Sequence, residues 1–209
     1  MARPAGRKNT DFDLKAAAQL ERLSAAWLEI GPGASVRELA EGAGLSLNNV
    51  RHYFGDRDAL VLAMLAHLHQ QGEPHMKRAS EPRGKDLEST LRLFLLDLVT
   101  AWRRFGVGRI HAVTLSEGLG SEGSGIGYVE HMLEPTLQTL EVLLERLVSA
   151  GALPPLEPRV AGLALLGPVV LALLHQENLH GVRCRPLDMG AFVEAHLRGW
   201  LHGYGAVLP

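Results

Sequence analysis

One cysteine, Cys184, stands alone in 209 residues. No intrachain disulfide can form from it and no thiolate zinc cluster can be built, which suits a reducing cytoplasm. No convincing run of strands is present either. Charge of neither sign is in excess: 21 basic and 23 acidic residues give a net −2. A protein that coats nucleic acid nonspecifically would be far more basic. No uninterrupted apolar run reaches the ~20 residues that span a bilayer, since the longest, from Leu163 to Leu174, is shorter. Residues 1–13 are basic and polar, without the apolar centre of a signal peptide. These absences predict a soluble cytoplasmic protein with no membrane partner. The 46% hydrophobic content is enough for a sizeable core.

What the chain does contain is helix after helix. Residues 11–30 carry Leu20, Leu23, Trp27 and Ile30 on one side and close at Gly31-Pro32-Gly33. Asp56 caps a helix bearing Leu60, Met64, Leu65 and Leu68, expected to end at Gly72 and Pro74, with 74–85 as a connection. Further helices are expected from Asp86 to Phe105, Arg109 to Glu117, about Ile126 to Ala150, Arg159 to His180, and from after Pro186 to about Gly203. The fold class is all-α, with about nine helices.

The stretch from Ser35 to Leu68 is the most informative. Val36, Leu39 and Ala40 lie on one face of a short helix that Ser35 can cap. Gly42-Ala43-Gly44 breaks it, and Gly44 is free to take a positive φ. Ser46 caps the next helix, in which Leu47, Val50 and Phe54 face inward. Asn48, Asn49, Arg51 and His52 are left facing out. Asn and Arg bond adenine and guanine edges in pairs, and Arg also grips phosphate. Such a helix, held by a turn against a partner, reads DNA. Arg3, Arg7 and Lys8 add a basic arm that can follow phosphates or enter a minor groove.

The run Val36-x-x-Leu39-Ala40-x-x-Ala43-Gly44-Leu45-Ser46, followed by Tyr53-Phe54-Gly55-Asp56-Arg57-Asp58-Ala59-Leu60, resembles the DNA-binding domain of the TetR family of repressors. The resemblance covers about the first third of the chain. By position it implies DNA contacts at Ser35, Ser46, Leu47, Asn48, Asn49, Arg51, His52, Tyr53 and Arg57. Two residues depart from the family, which usually has Lys where Leu47 stands and Tyr where Arg51 stands. Leu47 is therefore expected to pack, and Arg51 to alter the sequence read. The resemblance also implies a division into three helices plus six. Here that gives a basic flexible arm (1–10), a helix-turn-helix domain (11–55), a connecting helix (56–75) and a ligand-binding and dimerisation domain (76–205). It implies a homodimer on a pseudo-palindromic operator, released by a small organic effector.

Patterning in the second half points to burial. Between Val160 and Leu174 almost every residue is apolar or small, so the helix needs cover all round. Phe192 and Trp200 on the last helix are aromatic anchors of the kind enriched in interfaces. Relatives in the family pair their last two helices into a four-helix interface. This predicts a dimer contact through Leu163, Leu166, Val170, Leu174, Phe192, His196 and Trp200. A mostly apolar ligand site with a few polar groups is expected among Trp102, Phe105, Arg109, His111, His131, Thr136, Val169 and His175.

Other apparent motifs carry less. Gly118-x-Gly120-x-x-Gly123 matches a dinucleotide pattern but lacks the βαβ setting it needs, and is expected to be a flexible connection. Glu177-x-x-His180 has no second copy to complete a di-iron site. His67 and His69 diverge by about 160° on a helix, and no metal or other cofactor is expected. No Gly-x-Ser-x-Gly elbow accompanies Ser116-Glu117, so catalysis has no positive support. The competing class is a small all-α enzyme or carrier with an accidental helix-turn-helix.

Overall fold

The computed structural model describes residues 6–205, with side chains from Phe12 onward. Nine helices and one short 3₁₀ turn, with no strand, account for the regular structure among the described residues. They fall into two compact units. Residues up to Gly72 together with Val113–Met132 form one, and Glu73–Ala112 together with the chain from Leu133 form the other.

The first unit contains α1 (Gly6–Ile30), α2 (Val36–Gly42), α3 (Leu47–Phe54) and the start of α4 (Arg57–Ala79). Its core is Leu23, Trp27, Leu39, Ala40, Val50, Leu60, Val61, Met64 and Leu65, all essentially inaccessible. The same unit takes in the end of α6 (Val107–Gly118) and the start of α7 (122–149). Glycines stand where this return packs. A Cβ on Gly127 would meet Leu62 Cδ2 at 2.5 Å, and one on Gly125 would meet the Gly118 carbonyl at 2.9 Å. At Gly125 the neighbour is backbone and cannot give way, so glycine is required there, whereas at Gly127 the end of the Leu62 side chain can shift.

Several expected boundaries move. The helix expected from residue 11 begins at Gly6, so residues 6–10 continue α1 instead of forming an arm. α4 runs on past Gly72 and Pro74 to Ala79. Proline removes one backbone donor, but Pro74 is exposed, where water can serve the carbonyl left over. The glycine-rich connection is shorter than expected, reduced to residues 119–121. α6 ends at Gly118 and Ser121 already caps α7, its hydroxyl accepting the Ser124 N–H at 3.2 Å.

The second unit packs α5 (Leu87–Arg104), the remainder of α7, α8 (Pro158–Asn178) and α9 (Met189–Tyr204) around one core. Leu91, Leu95, Leu140, Leu144, Leu165, Val169, Val193 and Leu197 fill it. α8 extends beyond Leu174 through a π turn, in which Leu179 N–H reaches the Leu174 carbonyl. At 21 residues it is long and apolar enough to cross a membrane, contrary to the sequence reading. Here its inner face, including Ala161, Leu165 and Leu173, is buried in the core. α9 runs antiparallel to α8: Trp200 Nε1–H bonds Ala161 O at 3.0 Å, and His196 Nε2 lies 2.9 Å from Leu165 O. Gln176 fastens the loop before α9, accepting from Leu187 N–H and donating to Arg185 O.

Candidate nucleic-acid interface

The helix-turn-helix is fixed mainly by local chemistry. Ser35 and Glu38 form a reciprocal cap at the start of α2. The Ser35 hydroxyl accepts the Glu38 N–H, and the Glu38 carboxylate accepts the Ser35 N–H at 2.8 Å. Glu38 is thereby held below the usual carboxylate range. Gly44 turns the chain at φ 62°, and Arg22 donates to its carbonyl at 3.2 Å. Ser46 caps α3 by accepting the Asn49 N–H at 3.2 Å. Both serines act as caps, whatever further contact they make.

α3 buries Val50 completely, while Leu47 and Phe54 are half-buried. Asn48, Arg51 and His52 are exposed, and Asn49 is half-buried on the same outward side. Tyr53 is half-buried. Its ring stacks on Phe12 with centroids 4.5 Å apart, and His52 meets Tyr53 edge-on at 5.4 Å. Phe12, on α1, thus steadies α3. It is absent from the expected site residues, although Phe12 stands eighteen residues, five full turns, before Ile30 and so shares the apolar side of its own helix. Arg3 lies outside the described residues, as do the side chains of Arg7 and Lys8.

Arg57, for which the resemblance implies a DNA contact, is engaged within its own unit. Its Nε–H donates to Ala34 O at 3.0 Å, and its two terminal nitrogens donate to the Glu117 carboxylate at 2.7 and 3.0 Å. Glu117 also accepts the Gly33 N–H at 2.9 Å and is only 7% exposed. Burial pushes the Glu117 carboxyl up. The Arg57 hydrogen bonds, the Gly33 amide and the Arg57 charge outweigh it and hold the group below the usual carboxylate range. An arginine with its fork already occupied by a buried carboxylate is a clamp.

The expected dimer residues divide. Leu166 and Trp200 are 6% and 5% exposed, so both belong to the protomer core. An all-apolar helix gives no pattern by which to tell its inner face from its outer one. Val170, Leu174, Phe192 and His196 are half-buried, and Leu163 is 58% exposed. Val160 and Leu171, not anticipated, join Leu163 on an open apolar stripe of α8. Beside it α9 exposes Ala191, Ala195 and Gly199, small enough for another helix to come close.

The expected ligand residues do not gather into one cavity. Trp102 stacks on His111, 4.8 Å between ring centroids, and donates to Asn178 Oδ1 at 3.0 Å. Val169 is fully buried in the same core, and Thr136 is half-buried on α7. Phe105 closes α5 at 74% exposure, and Arg109 and His175 are also exposed, so these three line no enclosed space. His131 belongs to the first unit, where its ring lies 6.1 Å from that of His69. An open depression at the α6–α7 turn is lined by Gly118, Leu119, Ser121, Ile126 and Val129, and by none of the eight. Glu177 is engaged by Arg103 at 2.6 Å, a surface ion pair. Among the described residues no three His, Cys, Asp or Glu side chains are grouped to hold a metal ion.

No family model and no curated protein matches this sequence. Solved structures do match. A protein from Mesorhizobium loti assigned to the TetR family of transcriptional regulators superposes with a TM-score of 0.76 at 16% identity, over 93% of this chain and 98% of that one. A TetR transcriptional regulator from Agrobacterium tumefaciens gives 0.63 at 22% identity, over 90% and 93%. The transcriptional regulator FadR from Bacillus subtilis, solved with stearoyl-CoA, gives 0.67 at 16% identity, over 89% and 97%. At such identities the likeness is one of fold. The chain has the all-α TetR-family fold.

Proposed function

We propose that this protein is a sequence-specific DNA-binding transcriptional regulator of the TetR type, and not an enzyme. The observation that carries the reading is the outward face of α3. Asn48, Arg51 and His52 are exposed on a short helix whose start is capped by Ser46 and whose inner side is anchored by Val50. Asn and Arg are the side chains suited to paired contacts with base edges in a major groove.

The reading extends to a cytoplasmic homodimer acting as a repressor. The stripe Val160, Leu163 and Leu171 supports the pairing, because each is more than half exposed on a helix with no polar face. A second copy would bring two α3 helices to a pseudo-palindromic site, with half-sites about one helical turn (~34–36 Å) apart or a multiple of it. Release by a mostly apolar organic ligand is part of the proposal, and the FadR complex with stearoyl-CoA is a neighbour in keeping with it.

Quantitative binding to duplexes selected by the protein tests this. Arg51→Ala and Asn49→Ala should each cost roughly 1–3 kcal/mol of specific affinity and relax the preference at particular bases. If both variants bind the selected duplex as the native protein does, α3 is not the reading helix. An all-α enzyme or carrier would bind selected and random duplexes alike.

A further inference from the structure

The Arg57–Glu117 clamp lies at the boundaries of the DNA-reading motif. Ala34 immediately precedes the cap of α2, and Arg57 follows the end of α3 by three residues. The Arg57 guanidinium spans these two ends by donating to Ala34 O. Glu117, from α6, then accepts one N–H from each of the two terminal nitrogens of that guanidinium together with the Gly33 N–H. Every residue of the motif from Ser35 to Asp56 is thus bracketed between two points fixed to one buried carboxylate. Leu39, Ala40 and Val50 hold the middle of the motif in the core, and the clamp adds a fixed point at each outer end.

We infer that Glu117 is a positioning residue for DNA reading, acting through Arg57, and that Arg57 is not a phosphate contact. The inference rests on the DNA-binding reading of α3. Hydrogen bonds to base edges require donor–acceptor distances near 3 Å and good alignment. Nonspecific attraction to phosphates tolerates far looser placement. Freeing the outer ends of the motif lets α3 shift by fractions of an ångström, which removes base contacts before it removes phosphate contacts. Specificity suffers first. Glu117 stands 60 residues beyond Arg57 and on a helix that continues into the other compact unit. It therefore ties the reading motif to a part of the chain that makes no base contact itself.

The test uses the full-length protein and two probes: a duplex selected by the native protein, and a random duplex of the same length. Glu117→Ala and Glu117→Gln are compared with Arg57→Ala, at a temperature where circular dichroism shows each variant folded. Glu117→Gln keeps one acceptor and the side-chain volume, and so remains informative if the alanine variant unfolds. Glu117→Gln is expected to lower the ratio of selected to random affinity by tenfold or more. Affinity for random DNA and its salt dependence should stay within twofold of native. Arg57→Ala should match it, and the double variant should be no worse than Arg57→Ala, as one shared interaction requires. A purely structural role would lower both affinities together, by the folded fraction, and leave the ratio intact. That outcome overturns the inference. So does a fall of about one in the salt slope for Arg57→Ala alone, the signature of a lost phosphate contact. If the native protein shows no preference for any duplex, the DNA-binding reading itself fails, and the two failures remain distinct.

Discussion

Replacing Trp200 by Glu is expected to unfold the helical unit that holds it, whereas Leu163→Glu or Leu171→Glu should leave that unit folded and separate the protomers. Trp200 is 5% exposed, stacks on Tyr204 at 5.0 Å and donates its indole N–H to Ala161 O. Truncating a buried Trp costs about 3–5 kcal/mol through lost burial and the cavity left behind. A carboxylate at the same place adds the cost of an unpaired buried charge. That total rivals the 5–15 kcal/mol that typically separates folded from unfolded chains. Leu163 and Leu171, 58% and 68% exposed, sit where a substitution costs an isolated protomer about 0.5 kcal/mol or less. Across a two-fold interface, however, each substitution is present twice and puts two carboxylates into an apolar seam with no partner for them. Light scattering with thermal melts separates these outcomes. A native-like melt for Trp200→Glu would contradict its place in the core. Dimers persisting in both leucine variants would move the interface away from the α8 stripe.

Acid should weaken the second unit through His111. This imidazole is 5% exposed beneath Trp102, and burial lowers its pKa from 6.5 to about 4. Between those values the unfolded chain takes up a proton that the folded chain refuses. Stability is therefore greatest above pH 6.5 and falls as pH drops toward 4. The full shift amounts to about 3 kcal/mol. Carboxylates titrate in part of the same range, so the comparison must be with a variant. His111→Phe keeps an aromatic ring against Trp102 and removes the titration. Urea unfolding at pH 7.5, 5.5 and 4.5 should show the native protein losing more stability than His111→Phe. Parallel losses would mean that His111 is protonated in the folded state.

The elements legible in the sequence are those set by neighbours along the chain. Ser35, Ser46, Asp56 and Asp86 each cap the helix that follows them, because a cap bonds an amide two or three residues away. The inward set Leu47, Val50 and Phe54 likewise follows from helical period alone. Arg57 shows where such reasoning stops. Its position beside the motif suggests phosphate, but its partner Glu117 is far downstream and no local pattern points to it. α8 shows a second limit. Where every residue is apolar, periodicity has no phase, so Leu166 in the core and Leu163 on the surface look alike. The glycines from 118 to 127 show a third. Of the three glycines spaced like a nucleotide loop only Gly118 packs on α7, against Gly125 and Tyr128, while Gly123 faces open space.

The central claim is that the α3 face reads a defined DNA sequence. Selection of genomic fragments by the purified protein, followed by footprinting of the enriched duplex, tests it most directly. The account predicts enrichment of a pseudo-palindrome, with two protected half-sites about one helical turn apart, or a multiple, on the same face of the duplex. It also predicts that Arg51→Ala loses protection at bases within each half-site. Equal recovery of selected and random fragments, with no protected sites, would contradict it.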